Sequence, residues 1–205
     1  MSFETLALFT LVATIPAISP GPGVLFSITN ALRYGALTTI ILGIVNAAGI
    51  FVLCLAVGAG LSALLATSAL AFTILKFVGA AYLVILGIRL WRDRSAFLVI
   101  EAPARPPLKT LTGQALAIAL TNPKATVLLA ALFPPFLSAE APLWPQVLTL
   151  SAIYAALCVL NHTAIAFAGS ALRRFLTKPA RAAAVRRATG ALFIGFGALL
   201  AGTTR

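Results

Sequence analysis

A chain of 205 residues in which 61% are hydrophobic and 9% charged is not a soluble domain, where about 25% of residues carry charge; with a mean hydropathy of +1.06 it reads as a polytopic membrane protein. The net charge of +11 does not argue for a nucleic-acid partner, because the bases stand in short segments between apolar runs, without aromatic interleaving or a basic helix face, as the positive-inside rule explains. Cys54 and Cys158 both lie inside apolar runs, so the sequence offers neither a disulfide framework nor a metal spacing.

The length leaves room for about six spans of roughly 20 residues each. The expected fold is an all-α polytopic membrane protein of about six transmembrane helices, forming one membrane domain over residues 1–205. Met1-Ser2-Phe3-Glu4 has no basic segment or small-residue cleavage site, so the first apolar run is expected to stay as a span. That span runs from about Thr5 to Leu32 and is broken at Ser19-Pro20-Gly21-Pro22-Gly23, because proline removes a backbone donor and clashes with the preceding turn. Arg33-Tyr34-Gly35 makes a short turn. The second span runs from about Ala36 to Leu65 and carries Asn46 among small residues that let helices approach closely in lipid. Ala66-Thr67-Ser68 forms the next turn.

The third span, about Ala69 to Trp91, contains Lys76-x-x-Gly79-x-x-Tyr82 and ends in an anchor of Arg89, Trp91, Arg92 and Arg94. A proline-bearing loop follows to about Lys109. The fourth span, about Leu111 to Leu137, is broken at Thr121-Asn122-Pro123-Lys124 and closes on Pro134-Pro135-Phe136. The fifth runs from about Gln146 to Leu172 with Asn161 and His162 inside it. A basic loop with Arg173, Arg174, Lys178, Arg181, Arg186 and Arg187 leads to the sixth span, about Ala188 to Ala201. Lysine and arginine therefore crowd three loops on one side, while the other side holds only Arg205. The bias places those loops in the cytoplasm and both termini outside.

The broken first span matches the broken fourth, and Lys76-x-x-Gly79-x-x-Tyr82 in the third matches Arg187-x-x-Gly190-x-x-Phe193 at the sixth. A repeat of three spans must occur in opposite orientations, which is the inverted-repeat architecture of secondary transporters. The division is 1–94 for the first three-helix repeat, 95–110 for a cytoplasmic loop and 111–205 for the second repeat. The two breaks are expected to face each other, since in lipid the backbone groups they free need protein, water or a ligand.

Lys124 is the sharpest candidate for a site. A lysine near the middle of a span costs about 2.5–3.5 kcal/mol, and the four acids, Glu4, Asp93, Glu101 and Glu140, all fall near span ends or in loops. A buried cation beside a helix restart asks for an anion; a substrate carboxylate would suit it, while the plainer reading has Lys124 bonding the carbonyls of the break. The candidate substrate-binding set is Pro20, Gly21, Pro22, Asn46, Asn122, Pro123 and Lys124. Asn46 reads most simply as an interhelical hydrogen bond, and Asn122 and Asn161 as similar bridges. His162, the one histidine, is the obvious proton carrier, although a lone histidine is more often only a hydrogen-bonding residue. Lys76 reads as a snorkelling anchor. The motifs of metal, serine and phosphate chemistry are missing, so neither an enzyme, a cofactor nor a metal is expected.

Pro20-Gly21-Pro22, Gly79-x-x-Tyr82-Leu83, Asn122-Pro123-Lys124 and Pro134-x-Phe136 together resemble the lysine-exporter (LysE/RhtB) translocator family, over essentially the whole chain. Where that family commonly shows Pro-Gln-Phe, this chain has Pro134-Pro135-Phe136, and Asn46 and Ala47 stand where many members carry a glycine or an acid. The resemblance implies a bacterial inner-membrane exporter of amino acids or close derivatives, driven by an ion gradient, most simply of protons; a homo-oligomer is compatible with it. With no acid inside any span to meet a second cationic group, a neutral amino acid is expected over a dibasic one. The alternatives are an exporter of another small anionic metabolite and a structural membrane protein without transport.

Overall fold

The computed structural model describes residues 1–19, 21–67, 106–138, 140–176 and 178–202, and within 68–105 only 77, 80–81, 84–85, 88–89 and 91–92. Most of the expected third span and of the loop after it, with Lys76, Gly79, Tyr82 and Leu83, therefore lies outside the described residues, as does Pro20. The described residues are almost entirely helical, and none is in a strand.

Helix α1 (Phe3–Ile18) opens on Ser2, whose hydroxyl accepts from the Thr5 amide at 3.2 Å. It stops where its chemistry ends. The carbonyls of Pro16 and Ile18 would need amides from positions 20 and 22, both proline, and proline has none to give. Helix α2 (Pro22–Thr67) restarts on proline at its first position, where the missing N–H costs nothing.

Within α2, Gly35 alone has non-helical backbone, φ +80° and ψ 178°. Gly23 lies against the Asn46 side chain, and Leu42 packs with Phe26. Residues 23 apart would be about 34 Å apart in a straight helix, so α2 doubles back at Gly35, with limbs 22–34 and 36–67 side by side. The Arg33-Tyr34-Gly35 turn thus collapses to one residue. A Cβ at Gly35 would meet nothing within 4 Å; it is the positive φ, which side chains disfavour, that selects glycine.

Helix α3 (Leu108–Leu120) and helix α4 (Pro123–Leu132) are separated by Thr121 and Asn122 and bent by 46°. A 3-10 turn at Pro134–Phe136 ends this arm. Phe133 and Phe136 meet Phe9 of α1 edge-on, with centroids 6.0 and 5.1 Å away, each contact contributing about 0.5–1.5 kcal/mol. Gln146 closes the next loop: buried, it accepts from the Ser138 amide at 2.8 Å and donates to the carbonyls of Ser138, Ala141 and Pro142.

Helix α5 (Leu143–Leu176) packs against α1 and against α2. Helix α6 (Pro179–Gly202) follows α5 in the chain. The expected basic loop between the fifth and sixth spans is therefore a correction: Arg173 and Arg174 belong to α5, and Arg181, Arg186 and Arg187 to α6. Arginine and alanine are strong helix formers, and residues 179–189 hold nothing that breaks a helix beyond Pro179 at its start.

Among the described residues, two helices are long and apolar enough to cross a membrane by length and composition, or three if the bent α3–α4 pair is one span. The core is built where α1, the second limb of α2, α4 and α5 converge. Phe9, Ala13 and Ala17 of α1 are buried at successive turns, against Leu129, Leu150 and Cys54 among others. Lipid supplies no hydrophobic drive between helices, so close approach of small residues does this work. Gly43 is a case in point: a Cβ there would lie 2.5 Å from His162 Cβ.

Candidate functional site

The two helix breaks meet. Lys124, at the start of α4, donates through Nζ to the Ser19 carbonyl at 3.0 Å and to Ser19 Oγ, and its ammonium lies against Gly21. The end of α1 is otherwise short of donors, and side chains supply them. Ser19 Oγ donates to the Pro16 carbonyl at 3.0 Å, and Asn161 of α5 donates to the Ala17 carbonyl at 3.0 Å. Asn161 therefore acts as the helix bridge its sequence position suggests.

Each restarted helix meets the junction differently. Asn122 accepts from the Ala125 amide at 3.3 Å and so caps α4 with its own side chain. This is a local role, not the contact between helices expected of it. Gly21 caps α2: its carbonyl takes the Leu25 amide at 2.9 Å, but it has no side chain to offer the amides of Gly23 and Val24. Both of these residues lie on the wall of a cavity whose empty space, mouth included, is about 410 Å³.

Lys124, Ser19 and Asn122 form the polar junction on this wall; Ile50, Leu128 and Cys158 give it an apolar part; Asn46, His162 and Tyr154 complete its edges. No aspartate or glutamate is among its described lining residues. Tyr154, Cys158 and His162 stand at four-residue steps on α5, one turn apart, so a single helix face runs along the cavity. Among the candidate residues, Gly21, Asn46, Asn122 and Lys124 come together here. Pro22 and Pro123 open the two helices beside it.

His162 is buried and held at both ring nitrogens. Asn46 commits its amide nitrogen to the Ala115 carbonyl of α3 at 2.9 Å, which turns its oxygen toward His162 Nε2 at 3.1 Å. Nε2 then carries a hydrogen, and Ser27 Oγ lies 2.7 Å from Nδ1, within hydrogen-bond distance. One chain of hydrogen bonds thus joins both limbs of α2, α5 and α3. Asn46 is the interhelical bridge the sequence favours. Ser19, Ser27 and Tyr154 are residues that sequence reasoning misses. Ser19 is legible as a polar residue beside a proline break; a serine or tyrosine in a helix carries no comparable signal.

Residues 14–203 match the LysE type translocator family. The chain belongs to that family. Family members are transporters, not enzymes, and the protein is a membrane-embedded translocator. A membrane protein of Vibrio cholerae, described only as uncharacterized, is 38% identical over 94% of each chain. A homoserine/homoserine lactone efflux protein of Salmonella typhimurium is 34% identical over 98% of each chain. A leucine efflux protein of an Enterobacter strain is 31% identical over 89% of this chain and 88% of its own. No solved structure matches this translocator.

Proposed function

We propose that this translocator exports neutral amino acids or their close derivatives across the bacterial inner membrane, by alternating access of two inverted three-helix repeats. The observation that carries this reading is the position of Lys124: an ammonium held where two broken helices meet, on the wall of a cavity with no carboxylate among its described lining residues. A substrate carboxylate would exchange places with the Ser19 carbonyl on Lys124 and accept from the amides at the start of α2. The α-ammonium of the substrate would turn toward carbonyls freed at the end of α1. A second cationic group would find no negative partner, and that disfavours lysine or arginine as cargo. The names of two relatives, homoserine and leucine efflux proteins, agree with a cargo that has no net side-chain charge.

In this reading both termini lie outside, as the clustering of lysine and arginine on one side implies. Protons drive export, with His162 as the group that loads and releases them. The Ser27 hydroxyl suits such a role, because it donates to a neutral imidazole and, by rotating, accepts from a charged one.

Counterflow in proteoliposomes tests the proposal. Vesicles preloaded with unlabelled amino acids are expected to take up labelled threonine or leucine well and labelled arginine poorly. Arginine counterflow exceeding both would overturn the neutral-substrate reading. A folded protein that counterflows no amino acid would overturn amino-acid export.

A further inference from the structure

Tyr154 is 4% exposed, lies on the cavity wall, and makes no hydrogen bond through its hydroxyl to any described residue. Nor is that hydroxyl sealed in. Among the described residues the one enclosed side-chain oxygen without a partner is Ser151 Oγ, one turn earlier on α5. Tyr154 Oη is therefore not fully enclosed, and the residue that carries it lines the cavity. A buried phenol usually finds a partner, because its polar end is costly to leave unmatched.

Its surroundings make this more specific. Tyr154 packs in the same cluster as Ile50, Cys54 and Cys158, an apolar environment at the opposite end of the α5 face from His162. The polar junction at Lys124 and Ser19 is fully engaged with itself, through bonds that account for the break. Tyr154 belongs to no such network. A phenol set alone among apolar groups suits one polar atom at the end of an otherwise apolar side chain.

The geometry points to Tyr154 as a specificity residue for a side-chain oxygen on the cargo, favouring neutral amino acids that carry a hydroxyl or a carbonyl on or beyond Cβ over hydrocarbon analogues of the same size. This rests on the amino-acid site proposed above. The cargo's carboxylate would sit at Lys124 and its side chain would run along the α5 face toward Tyr154. Discrimination of this kind follows from leaving a buried polar group unmatched when the analogue binds.

The test compares isosteric pairs, threonine with valine and homoserine with norvaline, by counterflow of wild type and Tyr154→Phe. Wild type is expected to prefer the hydroxylated member of each pair by roughly two- to tenfold. In Tyr154→Phe that preference disappears, because threonine and homoserine weaken while valine and norvaline do not. Equal losses for both members would make Tyr154 a packing residue and overturn the inference. So would a wild type that does not distinguish them, although counterflow itself would leave the amino-acid site standing. Absence of counterflow for all four would instead sink the transport reading, and this inference with it. Ligand-dependent melting of the purified protein gives a second readout that needs no transport: threonine should raise the wild-type melting temperature more than valine does, and Tyr154→Phe should equalise them while remaining folded.

Discussion

The two helix breaks meet at one junction, yet they are built in opposite ways. The break at Thr121 and Asn122 looks after itself. Asn122 caps α4, Thr121 Oγ1 donates to the Ala117 carbonyl at 2.7 Å, and Thr126 Oγ1 donates to the Asn122 carbonyl at 3.1 Å. The break after Ser19 depends on residues far away in sequence: Lys124 reaches it across 105 positions and Asn161 across 144. A locally satisfied break can hold a charged side chain steadily, and a break satisfied from outside can be unmade. In the proposed transport cycle the second break would be the fixed arm that presents the cation, and the first the movable partner that offers carbonyls and amides.

That contrast is most directly broken at Lys124. Lys124→Gln removes the charge-assisted donor shared by both breaks and is expected to weaken amino-acid counterflow roughly 10- to 100-fold; unchanged initial rates would discard the junction as a carboxylate site. Asn161→Ala should come next. It leaves the Ala17 carbonyl without its donor and should destabilise the protein by about 1–2 kcal/mol, seen as a lower melting temperature in detergent. Asn122→Ala loses only a helix cap, about 1 kcal/mol. It should disturb hydrogen exchange at the start of α4 while sparing α1, whereas Asn161→Ala should expose the end of α1. The smallest effect is expected at Thr121→Val, where an exposed hydroxyl bonds a carbonyl already used within the helix; a melting change of more than a few degrees would show that the second break is less self-sufficient than its hydrogen bonds indicate.

Much of this arrangement is legible in the letters because proline and glycine carry hard steric consequences. Pro22 and Pro123 can only be helix starts, and a lysine beside one of them, with no acid in any span, has to find carbonyls or an anion. Asn46 and Asn161 are readable as bridges, but not their partners, since the partners are backbone carbonyls that every residue possesses. Asn122 reads wrongly as a bridge because a side chain that bonds three residues ahead looks the same in sequence as one that reaches another helix. Charge misleads at 173–187: a cluster of arginines suggests a loop, although arginine continues a helix as readily as leucine does. Tyr154 gives no warning, because a tyrosine in an apolar run is usually satisfied and only its missing partner distinguishes it. The match between the third and sixth spans rests in part on Lys76, Gly79 and Tyr82, which are not among the described residues.

The turn at Gly35 also governs how this protein can move. A joint one residue long has no slack, so neither limb of α2 can slide along the other. What it can do is change angle. Gly23 stands 12 residues from the hinge along the first limb, about 18 Å, and at that radius a change of about 5° shifts the tip by roughly 1.6 Å. Any such change of angle would reach the cavity directly, because Gly23 on one limb and Asn46 on the other both line it.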